Sequence, residues 1–463
     1  MSAQSRNNIL LLIGVFLLLG AGYYAFGYVL DRSQSEILLV SYAGLWLLSW
    51  PWLRITNKTQ YLTLNSWKTD FYAGLILRMV LLFSWPQLSQ DVYRFLWDGA
   101  LFAQGISPYL YTPNSLITAQ EISGIDLPNA AQLLSDMGTL SASNFSNYPT
   151  IKQIIFALPY WLGLKGIMAQ ISMLRIVIIL ADIGVFFIGR RLLLYRSLNP
   201  KYINWYFLNP LIILELTGNC HFEGIMALSL LTGLLMLVGK RYLLSGTLLG
   251  VGIGIKLIPL MLVPVIVAYI LREDKNSSIA KPLLYFSTGL MGTTALTFIP
   301  LLNPESLTHY TETTGLWFTK FEFNASIYYL LRWIGFQWKG YNLIAQIGPA
   351  LSLITLLIIL YLSYRVWRKR ADLFQAMMYS ILVYLFCATT VHPWYWTTAL
   401  VLSILVKSRI GLMGSLFIFL SYTAYRGDMV REQGLWLSIE YIGLFAYILW
   451  EHNKKKLKKP ELI

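Results

Sequence analysis

Long apolar runs separated by short basic, polar or Gly/Pro-bearing breaks recur along the whole chain. Each run approaches the ~20 residues a helix needs to cross hydrocarbon, or falls short of it where two half-length helices meet. With every backbone group needing a partner inside lipid, that pattern predicts an all-α polytopic membrane protein, a bundle of about 12–14 transmembrane helices forming a single integral membrane domain. The first run, 9–30, follows a lone Arg6, is longer than a secretory signal's apolar region and is followed at once by a second run. It is expected to stay as a span, with no targeting peptide. The longest polar interval, 86–150, comes after three apolar runs, and its Gly and Pro residues predict a folded cap interrupted by turns.

Composition agrees with that reading: of 463 residues 56% are hydrophobic and only 13% charged, which excludes an ordinary soluble domain. Basic residues set the expected orientation, because short loops rich in Lys and Arg stay cytoplasmic. Arg54, Lys58 and Lys68 fall in one inter-span loop, Arg190, Arg191, Arg196 and Lys201 in another, and Lys240 with Arg241 in a third. Arg272 with Lys275 and Lys281, the Arg365 to Arg370 group, Lys407 with Arg409, and the basic tail within 451–463 continue the series. All lie on one side if 151–164, interrupted by Pro159, rests along the outer surface without crossing. Both termini are then expected inside and the cap with Asp91 outside. The net charge of +14 is accounted for by these loops and by a tail suited to anionic membrane lipids, so no nucleic-acid partner is expected. Two cysteines, Cys220 and Cys387, make no disulfide framework; buried free thiols are the expectation, although both fall near outer helix ends.

Candidate chemistry gathers at the outer rim. Read as a helix from Gln90, the steps of three and four residues between Asp91, Arg94 and Asp98 put all three side chains on one face. That face is either a reaction centre or a solvated ion pair. Further on, the helix-breaking Leu208-Asn209-Pro210 precedes Glu215, Asn219, His221 and Glu223, which share one hairpin tip. Gly250, Gly252 and Gly254 lead into Lys256 and Pro259, read as two half-helices whose freed backbone groups and cation suit an anionic head group. His392-Pro393-Trp394-Tyr395-Trp396 opens a late span. The plainer alternatives are an interhelical hydrogen bond for Glu215 and His221, a snorkelling Lys256 and an aromatic belt at Trp394 to Trp396. Asp182, inside a span, calls for a partner on a neighbouring helix. His221 and Glu223 are two apart and the other histidines are scattered, so no metal site is expected. No nucleotide-binding fingerprint and no internal repeat occurs, and no cofactor is expected.

Taken in order, Asp91-Val92-Tyr93-Arg94-Phe95-Leu96-Trp97-Asp98-Gly99, Gly105-Ile106-Ser107-Pro108-Tyr109, Tyr148-Pro149 with Gln153, Asn209-Pro210 with Glu215, His221-Phe222-Glu223, Lys256-Leu257-Ile258-Pro259 and His392-Pro393-Trp394-Tyr395 form a pattern. It resembles the GT-C glycosyltransferases, and within them the polyprenyl-phosphate-mannose-dependent mannosyltransferases of the bacterial alpha-mannosyltransferase type, with a more distant likeness to the GPI-anchor mannosyltransferases. Asp91 and Asp98 stand seven apart where such enzymes often carry an adjacent acidic pair, and His221-Phe222-Glu223 stands where they often have His-Asn-Asp.

The resemblance implies a GT-C-type bundle with an extracytoplasmic first large loop, moving a hexose, with mannose favoured, from a polyprenyl-phosphate donor to a glycan or lipid acceptor. Catalytic carboxylates would be Asp91, as general base, and Asp98, orienting Arg94 or a sugar hydroxyl; one-step displacement implies inversion. Lys256 or Arg94 would stabilise the leaving phosphate without a metal. The remaining substrate-binding candidates are Tyr148, Gln153, Glu215, His221, Glu223, His392, Trp394 and Tyr395. The expected location is a bacterial inner membrane with the site outward, or the endoplasmic reticulum in a eukaryote. A secondary transporter or lipid flippase would also use intramembrane Asp182, Glu215 and Lys256, but would centre them at the bilayer midplane. A non-catalytic scaffold leaves the clustered acids unexplained.

Overall fold

The computed structural model describes residues 3–58, 66–118, 124–273, 280–426 and 429–457; Lys275 and the end of the basic tail, 458–463, lie outside the described residues. The chain is an all-α polytopic membrane protein, relieved among the described residues only by the two-residue strands Tyr425–Arg426 and Met429–Val430. Among the described residues five helices are long and apolar enough to cross a membrane: Ile9–Tyr28, Ser35–Leu53, Ile167–Tyr195, Ala280–Leu301 and Ile344–Trp367. The other apolar runs form shorter or broken helices, including Tyr242–Ile255, Leu373–Cys387 and Ile410–Ala424. Side chains such as Leu17, Val40, Leu296 and Leu356 lie exposed on the outside of the bundle. In water such a surface would be an aggregation liability; in a bilayer it is the lipid contact.

Close crossings rely on missing side chains. A Cβ on Gly246 would lie 2.1 Å from the Phe286 carbonyl oxygen, and one on Gly289 would lie 2.2 Å from that of Leu243. The helices Tyr242–Ile255 and Ala280–Phe298 therefore approach backbone to backbone, the packing that small residues permit between apolar helices.

The break at Asn209 follows from local chemistry. The Asn209 side chain accepts from the Leu211 amide, and Pro210 occupies the first position of the next turn, where its missing N–H costs nothing. A π-helical turn, Ile213–Gly218, then bends by 114° into Glu223–Val238, with Cys220 in the left-handed region at φ 59°. Ending helices inside the bundle strands carbonyls, and Arg175 collects them. Its guanidinium donates to Thr217 O and Leu82 O at 2.8 and 3.0 Å, and to Ser84 O and Gly218 O at 2.5 Å. Asp182 finds its partner in Arg78, Nε to Oδ2 at 2.8 Å, with the Tyr206 hydroxyl donating to its other oxygen. Both cysteines are free and buried.

The 86–150 interval folds as short helices, of which Asp91–Ala103 is the longest. That helix packs against Thr150–Trp161 at Gly99, where a Cβ would meet the Phe156 carbonyl oxygen at 2.1 Å. Thr150–Trp161 has 12 residues, about 18 Å at 1.5 Å per residue, and is too short to cross ~30 Å of hydrocarbon.

Candidate active site

A cavity of about 320 Å³ opens where the Asp91–Ala103 and Thr150–Trp161 helices meet the broken-helix tips. Its polar lining includes Asp91, Tyr148, Lys152, His221, Glu223 and Lys256, with His392, Trp394 and Tyr395. The lining also includes the apolar side chains of Met261, Trp317 and Phe318, with Gly348, Thr355 and Cys387. Eight of the twelve residues singled out in the sequence therefore line one space: Asp91, Tyr148, His221, Glu223, Lys256, His392, Trp394 and Tyr395.

Asp91 is the first residue of its helix, half-buried, and among the described residues no cation lies within 4.0 Å of its carboxylate. Burial pushes its pKa above the ordinary carboxylate value; Lys152 pulls the other way and Glu223 reinforces the rise. A carboxylate free of a fixed partner, facing a cavity with a raised proton affinity, is equipped to take a proton from a bound hydroxyl.

Asp98 engages Arg94, one of the two roles expected of it, but neither residue is on the cavity wall. Asp98 is wholly buried and absent from the cavity wall: Oδ1 accepts from Arg94 Nε at 2.7 Å and Oδ2 from the Ser146 hydroxyl at 2.6 Å. The same Arg94 donates to the Ser141 and Asn144 carbonyl oxygens at 2.5 and 2.9 Å. Gln153, also buried and off the wall, donates to Ser146 Oγ at 2.8 Å and to Asp98 Oδ2 at 3.3 Å. This network ties the 141–146 segment to the helix that bears Asp91 and so delivers Asn147, Tyr148 and Pro149 to the cavity. Glu215 is likewise off the wall, because its carboxylate is engaged by the Tyr422 hydroxyl at 2.6 Å and Asn219 Nδ2 at 3.3 Å. His221 Nε2 stands 3.7 Å from it.

Lys256 reaches the cavity with its charge already matched. Nζ lies 2.5 Å from Glu223 Oε1 and 3.7 Å from the centroid of the Tyr395 ring. The Gly-rich helix does end at Lys256, whose backbone is extended, and a 3-10 turn over Ile258–Leu262 follows. Trp394 stacks between His221 at 3.6 Å and His392 at 4.6 Å, while Trp396 is buried with Nε1 donating to Gly411 O. These tryptophans pack internally and form no lipid-facing belt. Among the described residues, four buried polar atoms on the cavity residues have no hydrogen-bond partner: Glu223 Oε2, His221 Nε2, His392 Nδ1 and Thr314 Oγ1. Unmet capacity of this kind suits a ligand rich in hydroxyls.

Lys152 is the charged residue of this lining that motif reading passed over, although it sits next to Gln153 and three positions after Pro149. A lone cation in an otherwise apolar helix, Ile-Lys-Gln-Ile-Ile-Phe, was the available signal. It is 6% exposed, and burial pulls its pKa down to about 8.

The fold and the cavity define a polytopic membrane protein with a polar site where its short cap helices meet the broken helices. Residues 24–272 match the family described as alpha-(1->6)-mannopyranosyltransferase, N-terminal domain, more than half of the chain, and the chain belongs to that family. It is similar to alpha-(1->6)-mannopyranosyltransferase A of Corynebacterium glutamicum, 22% identical over 457 residues that cover 89% of this chain and 87% of that one. The protein of the same name from Mycobacterium tuberculosis is 21% identical over 384 residues, 78% of this chain and 69% of that one.

Proposed function

We propose that the chain transfers a mannosyl group from a polyprenyl-phosphate donor to a hydroxyl of a glycan or lipid acceptor, with inversion, at the outer face of a bacterial inner membrane. The observation that carries this reading is the carboxylate of Asp91, with no cation within 4.0 Å among the described residues, on the wall of a cavity that also gathers Lys152, Glu223 and Lys256 within a largely apolar lining. Asp91 takes the proton of the acceptor hydroxyl as its oxygen attacks the anomeric carbon, and the lipid phosphate leaves on the opposite side. The apolar lining at Met261, Trp317 and Phe318 suits a polyprenyl chain. Glu223, His221 and His392 supply unpaired polar atoms for sugar hydroxyls, with Tyr148, Trp394, Tyr395 and Lys256 shaping the same subsite. Asp98, Arg94 and Gln153 position the cap, and Glu215 fixes the hairpin tip behind His221. The 86–150 interval acts as the roof within a single membrane domain. The relatives' shared name supports an alpha-(1->6) linkage in the product.

The test is transfer of label from polyprenyl-phosphate [14C]mannose to an oligomannoside acceptor, using membranes that contain the protein and membranes that lack it. Linkage analysis of the product reads the bond formed. Absence of protein-dependent transfer from the lipid phosphate, with transfer from a nucleotide sugar in its place, would overturn the donor assignment.

A further inference from the structure

We propose that Lys152, with its ammonium set in an aromatic enclosure, is the residue that holds the phosphate of the donor, a role that Glu223 denies to Lys256. This rests on the reading of the cavity as the site of transfer from a lipid-phosphate sugar. Of the three cations Arg94, Lys256 and Lys152, two are already neutralised. Arg94 is closed onto Asp98 and two carbonyls, and Lys256 is 2.5 Å from Glu223. Lys152 differs from both. Among the described residues it has no carboxylate within 4.0 Å and donates no hydrogen bond to a protein group, yet it is 6% exposed and on the cavity wall.

What surrounds its ammonium is aromatic. The Tyr148 ring centroid lies 4.5 Å away, that of Phe95 5.3 Å and that of Phe222 5.7 Å. Ring faces attract a cation, but each contributes only a fraction of what an anion does, so the enclosure holds the ammonium in place and leaves its charge unspent. A buried cation without a counter-ion is costly, and a ligand that brings the anion removes that cost. The same rings leave the cavity as the open side from which an anion approaches.

Charge bookkeeping over the reaction strengthens the assignment. The bond from the acceptor oxygen to the anomeric carbon forms, and the bond from that carbon to the phosphate oxygen breaks. The electron pair goes to the phosphate, and the acceptor proton goes to Asp91. A phosphodiester with one negative charge becomes a monoester with two. A cation held against that phosphate is therefore attracted more strongly as the bond breaks, which raises turnover as well as donor affinity.

The experiment measures inhibition by sugar-free polyprenyl monophosphate, a competitor that shares only the phosphate and chain of the donor, alongside donor and acceptor kinetics. Lys152→Met is expected to weaken this inhibition and raise the donor KM by roughly ten- to a hundredfold, lower kcat as well, and leave the acceptor KM within about threefold. Lys152→Arg, which keeps charge in the enclosure, is expected to retain inhibition within about fivefold. It gives a second reading if the methionine variant does not fold. Unchanged inhibition in folded Lys152→Met, or loss of inhibition in Lys256→Met with Lys152→Met unaffected, overturns the proposal. The functional reading fails separately: the unmutated protein would then transfer nothing from any polyprenyl-phosphate sugar.

Discussion

Arg94 and Asp98, four residues apart on one helix, form an ion pair at 2.7 Å with both side chains almost wholly buried. Breaking such a pair leaves a charge uncompensated, at a cost of about 3–5 kcal/mol, whereas replacing both members with apolar groups of similar volume is often close to neutral. Asp98→Asn should therefore lower the thermal midpoint of the purified protein and loosen the 141–146 segment, read as faster hydrogen exchange there. The double variant Arg94→Met/Asp98→Leu should recover much of the midpoint. A single variant as stable as the parent, with turnover alone reduced, would return Asp98 to a direct chemical role.

Asp91 carries the opposite expectation. Asp91→Asn keeps the shape and removes the proton acceptor, so transfer should fall about 100-fold or more with the thermal midpoint unchanged within a degree or two, since among the described residues its carboxylate has no cation within 4.0 Å to lose. Turnover near that of the parent would remove Asp91 from the base role.

The contrast between these two acids shows how far the sequence could be read. Helical spacing placed Asp91, Arg94 and Asp98 on one face, but an i, i+4 pair satisfies itself, and the network of Ser146 and Gln153 then draws it away from the cavity. The helix breaks at Asn209 and Lys256 were legible because Pro, Asn and Gly act locally. Arg78 with Asp182, 104 positions apart, and Arg175 with the carbonyls of the 82–84 turn and of the π-helical turn at 217–218 were not, because periodicity carries no information on which distant face a helix meets. The carboxylate of Asp182 pointed to a partner without naming it. Lys152 was missed for a related reason: its significance lies in having no carboxylate within 4.0 Å among the described residues, which only the packed structure reveals.

Orientation has its own test. Cysteines replacing Ser115 and Ser143 in the cap should react with an impermeant maleimide added to intact cells, while one replacing Ser197, beside Arg190, Arg191 and Arg196, should react only after permeabilisation. The native Cys220 and Cys387 are buried and should give little background. Labelling of the Ser197 position in sealed cells, with the cap positions silent, would invert the assignment and place the cavity on the cytoplasmic side.

The pH profile of kcat/KM should separate the base from the phosphate-binding cation. Asp91 acts only when deprotonated, and burial raises its pKa, so the rate should climb with pH through a value above the ordinary ~3.9 of an aspartate. Lys152 acts only when protonated, and burial draws its pKa to about 8, so donor capture should decline as pH rises through that region. Glu223 and Asp91 hold the lysine's proton on while Lys256 pushes it off, and the limbs belong to this coupled set. Bound donor phosphate should move the alkaline limb upward in kcat, because an anion beside Lys152 favours its charged form. The decisive comparison is Lys152→Arg, whose guanidinium does not titrate in this range. Its profile should keep the acid limb and lose the decline near pH 8. A decline that persists unchanged in that variant would assign it to another group, and the cation that meets the phosphate would have to be sought elsewhere on the wall.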